Sequence, residues 1–345
     1  MNSSFENQLM KDLCANSLRV ILKQLRTAPR DELSRISGLT IAQIDELTTE
    51  LCLTGEFVQE ETADQRSGPG GRGLCYRFNG EYRLVLAICI LEKNRVCIVV
   101  SNLYGEYLVR EEISASPARV EFFEAIVERY QKIYPAISLL AFGMAGFEVR
   151  GSDRLLTIDF PDLQWVHFRD HFKEKYGLES ILENDIKAAV AGYYETRNFG
   201  EGSCVAAIYI PQTHHPGAAI CMDGKIYRGR DNAAGEVIFL QTDVKWKPFE
   251  RNEINFSQLD IDQLIADIAL PMIVLLNPDC LVTYGSELPA DAGEQLKKRL
   301  LESIPREFLP DLVFVSDILP DFLDGLIHLA LKALEPSIDL ETKEA

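Results

Sequence analysis

The chain of 345 residues lacks the features of a membrane or secreted protein. It has no run of about 18 apolar side chains, the shortest length expected of a membrane-spanning helix. The first dozen residues are polar and of mixed charge, unlike a secretory signal. Its eight cysteines are scattered without one C-x-x-C pair, so neither a zinc knuckle nor a redox dithiol is indicated. We therefore expect a cytoplasmic protein with reduced cysteines and no membrane partner.

Positive charge is scarce as well. The formal net charge is −18, and residues 1–83 account for only −2 of it, with 10 basic and 12 acidic side chains. The strongly acidic remainder argues against nucleic-acid binding by the chain as a whole. The first 83 residues are not basic either, which weighs against DNA binding by this segment without excluding it.

Signatures of hydrolases and metal enzymes are also missing. The sequence has no H-E-x-x-H motif and no recognisable Ser-His-Asp or Cys-His arrangement. His167 and His171 are four residues apart, but Trp165–Tyr176 has the pattern of a surface helix. We interpret both as surface or half-buried histidines. Adjacent His214 and His215 lie in a predicted loop, so the sequence predicts no metal site.

What the sequence does contain begins with a helical head. Apolar residues at helical spacing predict a helix ending near Leu25, a short helix over Asp31–Ser37 and a third over Ile41–Leu53. Thr40 and Gln43 have the spacing of a capping box at the start of the third helix. Two predicted strands follow, Phe57–Glu60 and Leu74–Phe78. This order is typical of a winged helix-turn-helix.

The third predicted helix would lie in the major groove of double-stranded DNA. Residues near its start would face bases or phosphates, namely Thr40, Ala42, Gln43 and, further along, Thr48. Arg72 lies between two glycines and could enter a minor groove. The candidate phosphate contacts are Arg30, Arg35, Arg66, Arg72 and Arg77. Alternatively, the head serves only dimerisation or protein contact.

From Arg83 onward the pattern becomes α/β. Three short β-rich runs precede an amphipathic helix near Arg119–Ile133 and a strand over Ile137–Gly143, which leads to Gly146. A second set of strands and helices starts after a predicted helix over Ile186–Asn198. Two α/β lobes of similar plan around a cleft would place a ligand between them.

Four segments of this region, together with the head, resemble the ROK family of bacterial repressors and sugar kinases. The segments are L-E-N-D-I-K-A-A from Leu182, D-G-K-I-Y-R-G from Asp223, A-A-G-E ending at Glu236 and L-N-P-D-C-L-V from Leu276. The resemblance runs from about Asn16 to Leu334. It implies an α/β fold of the actin-like, ribonuclease-H-like type with two lobes, preceded by the winged helix-turn-helix.

The resemblance also implies how the chain is divided. We expect a winged-helix domain over residues 1–80, a first lobe over 81–190 together with the C-terminal helix 320–345, and a second lobe over 191–319. A homodimer is implied as well, whose two heads would match a palindromic operator.

The same resemblance implies where a carbohydrate would bind. In kinase members the acid of the Glu-Asn-Asp motif is the general base for a sugar hydroxyl, and this position is Asp185. Asn184 would bond sugar hydroxyls, Glu236 matches the sugar-binding glutamate, and Gly146 completes the set at the first-lobe strand end. Alternatively, Asp185 only caps the following helix and the segment at Glu236 is a turn.

Two substitutions within this set leave the ligand open. Lys187 stands where an asparagine is common, and it could pair with Asp185 or favour an anionic ligand such as a sugar phosphate. Phe239 replaces a histidine that in the family binds zinc and touches sugar. Its ring could stack on a sugar face or close the pocket. The zinc-binding cysteines of the family are absent from Gln241–Asn255, so no zinc is expected.

Departures in the phosphate-binding loops argue against phosphoryl transfer. Kinase members begin the first lobe with a hairpin of the type Asp-x-Gly-Gly-Thr, whereas Ile88–Asn94 contains no glycine or threonine. Glu92 in this hairpin would repel a phosphate. The second-lobe turn keeps only Gly217 of its usual glycines. Asp185 therefore occupies a base position without a catalytic role, and no cofactor is expected.

These observations predict a sugar-responsive bacterial transcription regulator, in our interpretation a repressor. It would bind DNA through the head and a carbohydrate in the cleft, without phosphoryl transfer. Two alternatives stay open. One is an active ATP-dependent sugar kinase with a fused DNA-binding head, and the other is a ligand-free scaffold for dimerisation or partner docking.

Overall fold

A computed structural model of the chain describes residues 3–63, 72–115, 119–150, 152–157, 160–212, 215–240, 242 and 260–335. These residues divide into two compact units. The first comprises the chain to Leu84, the turn Asn102–Glu106 and the described chain from Ala333, and the second comprises Val85–Ser101 and Tyr107–Lys332. The three-part division at residues 80, 190 and 319 stays a prediction.

The first unit packs three helices against a small antiparallel sheet. The helices are α1 (Ser3–Leu25), α2 (Arg30–Ser37) and α3 (Ile41–Leu53), and the strands are β1 (Thr27–Pro29), β2 (Phe57–Ala63) and β3 (Arg72–Phe78). The strand order is β1-β3-β2. The predicted succession of three helices and a hairpin is present, and β1 is a further strand that we did not predict.

Capping interactions define the turn between α2 and α3. Gly38 ends α2 in the left-handed region at φ 72°, and its N–H donates to the Ser34 carbonyl at 3.0 Å. The hydroxyl of Thr40 accepts from the Gln43 N–H, while Gln43 Oε1 accepts from the Thr40 N–H at 3.0 Å. The predicted capping box is therefore formed.

Aromatic side chains close the core of the first unit beside its sheet. Phe78 packs edge-on against Phe57 and Tyr104, with ring centres 6.1 Å and 5.6 Å apart. The Tyr104 hydroxyl donates to the Phe78 carbonyl at 2.9 Å. The Arg26 guanidinium lies 3.4 Å from the centre of the Tyr104 ring. These contacts fasten the turn Asn102–Glu106 to the first unit.

The second unit contains two five-stranded sheets. The first sheet is built from β4 (Leu84–Leu91), β5 (Arg95–Ser101), β6 (Tyr107–Ser114), β7 (Ile137–Met144) and β10 (Glu179–Asn184). Its order is β10-β7-β4-β5-β6, with β4, β5 and β6 antiparallel and β7 parallel to β10. This is the predicted set of three antiparallel strands followed by an α/β unit.

Four helices and a short hairpin accompany the first sheet. They are α4 (Val120–Ile133), α5 (Phe168–Tyr176), α6 (Asp185–Thr196) and α9 (Leu319–Leu334), with the hairpin strands β8 (Phe147–Val149) and β9 (Arg154–Leu156). Helix α9 packs closely on α6. A Cβ atom built on Gly325 would lie 1.8 Å from the Ala188 carbonyl oxygen, so this contact requires glycine.

The second sheet follows in the chain after α6. Its strands are β11 (Cys204–Tyr209), β12 (Gly217–Met222), β13 (Lys225–Ile226), β14 (Cys280–Tyr284) and β15 (Asp311–Val315), and its helices are α7 (Ile261–Leu276) and α8 (Ala292–Leu301). The order is β13-β12-β11-β14-β15, in which β11, β14 and β15 are parallel. Among the described residues, no helix combines the length and apolar character that crossing a bilayer requires.

Candidate functional site

The candidate site is built around the junction of β10 and α6. Asn184 is the N-cap of α6, where its Oδ1 accepts from the Lys187 N–H at 3.2 Å. Its Nδ2 donates to the Gly146 carbonyl at 2.9 Å. The alternative in which Asp185 caps this helix is therefore wrong, because Asn184 performs that role. Asn184 also ties the junction to the loop after β7.

Asp185 and Glu236 supply two carboxylates that lie near each other. Asp185 is 9% exposed, and its Oδ1 accepts from the N–H of Ile186 at 2.7 Å. Burial raises the pKa of the Glu236 carboxyl, while the Lys187 ammonium opposes the rise and Asp185 adds to it. The fold therefore brings together two predicted residues that are 51 positions apart in the sequence.

Lys187 is a buried cation within the same group. It is 1% exposed, and its Nζ donates to the Asn232 carbonyl at 2.5 Å. Burial lowers the pKa of its ammonium, which Glu183 and Glu236 partly restore. The ammonium therefore balances carboxylates of the protein. This favours the pairing interpretation over the one in which Lys187 attracts an anionic ligand.

Gly146 and Phe239 have structural features that leave their predicted ligand contacts untested. Gly146 has φ 113°, and a Cβ there would lie 2.5 Å from the Leu156 carbonyl oxygen. Its carbonyl accepts from Asn184. Phe239 ends a short 3₁₀ turn and is 65% exposed. Both residues stay predicted ligand contacts.

A cavity of about 600 Å³ adjoins the junction on the side of Glu183. Glu183 is buried and forms an ion pair with Arg228. The Asn232 side chain donates to the Glu148 carbonyl at 2.9 Å. The other polar residues that line the cavity are Arg150 and Arg169, and its apolar wall comprises Ile181, Leu182, Ile226 and Leu329. Polar groups along an apolar wall suit a polyhydroxylated ligand.

Sequence reasoning missed Glu183, Arg228 and Asn232. Glu183 and Arg228 belong to segments that were singled out, and Asn232 directly precedes the A-A-G-E segment. Their signal was weak, because the sequence does not show which polar partners distant residues will meet. The ion pair between Glu183 and Arg228 joins residues 45 positions apart.

His167 and His171 make different contacts. His171 Nε2 lies 2.8 Å from Glu124 Oε1, whereas His167 is the exposed residue before the helix. His167 instead lies near Asp153 and Asp170, with one potential metal-binding atom of each within 4.8 Å of the others. Asp153 already accepts from two backbone N–H groups at the start of α5. It therefore caps this helix.

Helix α5 lies at the surface, as predicted, with one apolar face buried. Phe168 and Phe172 are fully buried and pack against Phe142, with ring centres 5.2 Å and 4.9 Å away. Charged residues between them hid this apolar face in the sequence.

The predicted DNA-contacting face of the head is partly formed. Ala42 and Gln43 are exposed at the start of α3, beside Thr40 of the capping box. Thr48 is fully buried, and its hydroxyl donates to the Ile44 carbonyl at 2.7 Å. The expectation that Thr48 faces DNA is therefore wrong, because its position on α3 faces the core.

The arginines of the head have acidic neighbours. Arg30 contacts Asp45 of α3 at 3.4 Å, and Arg35 contacts Glu32 at the same distance. Lys11 pairs with Glu46 and Glu50, so the acidic residues of α3 are balanced within the head. Arg77 pairs with Glu60 at 2.8 Å. Arg66 lies outside the described residues, and Arg72 opens β3 with its side chain outside them.

Comparison with known proteins gives relatives in both sequence and fold. No family model matches the chain. The xylose repressor of Caldicellulosiruptor bescii is 26% identical over 220 residues, which cover 60% of this chain and 53% of the repressor. The chain spans about half the length of the curated relatives it matches. Among solved structures, a ROK family transcriptional regulator described as a homologue of the E. coli MLC protein matches 94% of this chain and 99% of its own, with a TM-score of 0.64 and 17% identity.

The relatives named as xylose repressors and the ROK regulators and sugar kinases among the solved structures agree with the predicted resemblance to the ROK family. A ROK hexokinase from Thermus thermophilus also shares the fold, over 73% of this chain and all of the hexokinase, at a TM-score of 0.58 and 15% identity. The predicted ROK resemblance and the actin-like sugar-kinase fold with an N-terminal winged helix are confirmed. Since ROK neighbours include both regulators and kinases, the fold by itself does not decide between these activities.

Proposed function

We propose that this ROK protein is a sugar-responsive transcription repressor that does not transfer phosphate. Its head would bind a double-stranded operator, and a carbohydrate would bind in the second unit near Asp185 and Glu236. The observation that carries the proposal is the combination in one chain of a winged helix with an exposed start of α3 and a buried polar site of the ROK type. The curated relatives named as xylose repressors support it.

The chemistry of the site supports a neutral carbohydrate. Asp185 and Glu236 can accept hydrogen bonds from hydroxyl groups, and Lys187 neutralises part of their charge. The nearby pair of Glu183 and Arg228 adds no net charge. Asp185, Glu236 and Lys187 together remain negative, so hydroxyl groups rather than a phosphate are expected beside these two carboxylates.

The proposed mechanism is a shift between conformations. A carbohydrate that binds one arrangement of the second unit better than another will shift the population toward it. In a homodimer, such a shift would change how two heads meet the half-sites of a palindromic operator. No phosphoryl transfer is required for this response.

Thermal unfolding against a panel of sugars tests the ligand. The panel includes D-xylose and D-glucose, each with and without magnesium-ATP. A sugar at about 100 times its dissociation constant should stabilise the protein by roughly 2.7 kcal/mol. We expect one sugar to raise the melting temperature and magnesium-ATP to add nothing. Formation of ADP and a phosphorylated sugar would contradict the proposal and support the kinase alternative.

DNA binding is tested by fluorescence anisotropy on duplexes selected from a random library. Arg35→Ala should weaken binding across all sequences and reduce the slope of log K against log salt by about 1, as expected for one lost phosphate contact. An exposed arginine of the second unit, Arg95, supplies the control Arg95→Ala. Equal salt slopes for the head variant and the wild type would show that Arg35 makes no phosphate contact.

A further inference from the structure

The turn between β4 and β5 makes a contact that the proposed function does not use. Lys93 and Asn94 form this tight turn with φ 57° and 56°, and Glu92 precedes them. Both oxygens of the Glu92 carboxylate accept hydrogen bonds from residues at the end of β11 in the second sheet. Its Oε1 accepts from the backbone N–H of Gln212 at 2.6 Å, and its Oε2 accepts from the Tyr209 hydroxyl at 3.2 Å.

The partners of Glu92 lie at the end of β11. Tyr209 is the last residue of that strand, and Gln212 follows in the loop that leads to β12. The side chain of Gln212 donates at 2.7 Å to Glu287, beyond β14. A backbone N–H bonded by a carboxylate forms a charge-assisted hydrogen bond, which is stronger than one between neutral groups. Glu92 therefore joins a turn of the first sheet to a loop of the second.

Tyr209 connects this contact with the candidate site. The residue is 8% exposed. Burial raises the pKa of its hydroxyl, and the negative charges of Glu92 and Asp185 raise it further. The Tyr209 hydroxyl thus donates to Glu92 and also experiences the negative charge of Asp185.

Two further contacts join segments of the two sheets at the β10–α6 junction, which contains Asp185. Arg228 pairs with Glu183, and Lys187 bonds the Asn232 carbonyl. The loop after β13 is thereby held to the β10–α6 junction. The two sheets are therefore joined at the junction that contains Asp185 as well as through Glu92.

We propose that Glu92 with Tyr209 and Gln212 forms an internal latch that holds the two lobes of the second unit together and sets the affinity of the site at Asp185. The proposal rests on the proposed function only for the ligand, because the latch itself is a contact between residues of the protein. The Glu92 carboxylate accepts a hydrogen bond from the loop after β11, as a bound anion could do in its place. The two lobes are then held together for ligand binding without a bound nucleotide.

Amide hydrogen exchange tests the latch without any ligand. The segment Ile210–Gln212 has only two amide protons, because Pro211 has none. The Ile210 N–H bonds the Tyr284 carbonyl at 2.9 Å and is an internal reference. Glu92→Ala should speed exchange of the Gln212 amide at least tenfold and leave that of Ile210 unchanged. Equal exchange of Gln212 in wild type and variant would overturn the latch.

Glu287→Ala is the matched control. It removes another carboxylate bonded to Gln212, but through the side-chain Nε2 rather than the backbone N–H. It should leave exchange of the Gln212 amide near the wild-type rate. If Glu287→Ala raised the exchange rate of the Gln212 amide as much as Glu92→Ala does, loosening of the loop in general would cause the effect. That result would overturn the specific role of Glu92.

Sugar titration then tests the coupling. With the panel sugar that stabilises the wild type, Glu92→Ala should weaken binding at least tenfold and Glu287→Ala should not. Unchanged affinity in Glu92→Ala would overturn the control of the site by the latch. If no sugar binds the wild type, the proposed function fails, while the exchange experiment still decides whether the latch exists.

Discussion

At the scale of single residues, the candidate site depends on buried charges that compensate one another. Lys187 is almost fully buried, and its ammonium interacts electrostatically with three carboxylates, those of Glu183, Asp185 and Glu236. A buried charge is tolerated only where opposite charges and hydrogen bonds compensate its lost hydration. The sequence showed that Lys187, Asp185 and Glu236 are unusual or family-like, but it could not show that they meet.

Glu236 should make stability depend on pH. Its folded-state pKa is raised by burial, so the folded state holds its proton to higher pH than the unfolded state. Stability from this group is present at low pH and is lost as pH rises through the raised pKa. Wild type should therefore lose stability relative to Glu236→Gln as pH rises above the ordinary glutamate pKa of about 4.3. Urea unfolding at several pH values measures this difference.

The control for Glu236→Gln is an exposed glutamate on α8. Glu294→Gln should show no comparable change relative to wild type over the same pH range, because Glu294 lies at the surface. A constant difference between wild type and Glu236→Gln at every pH would contradict the burial of the Glu236 carboxyl.

At the scale of elements, the sequence predicted those whose signal is local. The capping box at Thr40 indicated the start of α3, and short β-rich runs indicated β4 to β6. It missed β1, because Thr27–Pro29 is a strand only through its pairing with β3. It did not identify Phe168 and Phe172 of α5 as core residues, because charged residues separate them. Such elements depend on partners that are distant in the sequence.

The packing of α9 on α6 gives an element-scale prediction. Gly325→Ala should destabilise the second unit by about 3 kcal/mol, because its Cβ would overlap the Ala188 carbonyl and force the helices apart. Chemical denaturation monitored by circular dichroism measures the loss. Gly200→Ala is the matched control, since a Cβ there meets nothing within 4 Å. Similar stabilities for the two variants would show that α6 and α9 are not in this close contact.

At the scale of the whole molecule, the charge distribution restricts how DNA can be approached. Most of the net charge of −18 lies beyond residue 83, so the bulk of the chain repels a phosphate backbone. The head is nearly neutral, and several of its acidic residues are paired with Lys11 or Arg30. A single such head would bind DNA weakly. Two heads in a dimer would share one operator and raise the effective concentration of the second contact.

Linkage between sugar and operator is the whole-molecule test of a sugar-responsive repressor. If a sugar changes operator affinity by some factor, the operator must change sugar affinity by the same factor, whichever direction the regulation takes. We expect a factor of about 5 to 150. Anisotropy with labelled operator measures the first and calorimetry with sugar measures the second. Asp185→Ala should abolish both effects while operator affinity without sugar stays unchanged. Sugar binding that leaves operator affinity unaltered would show that the site in the second unit does not regulate the head.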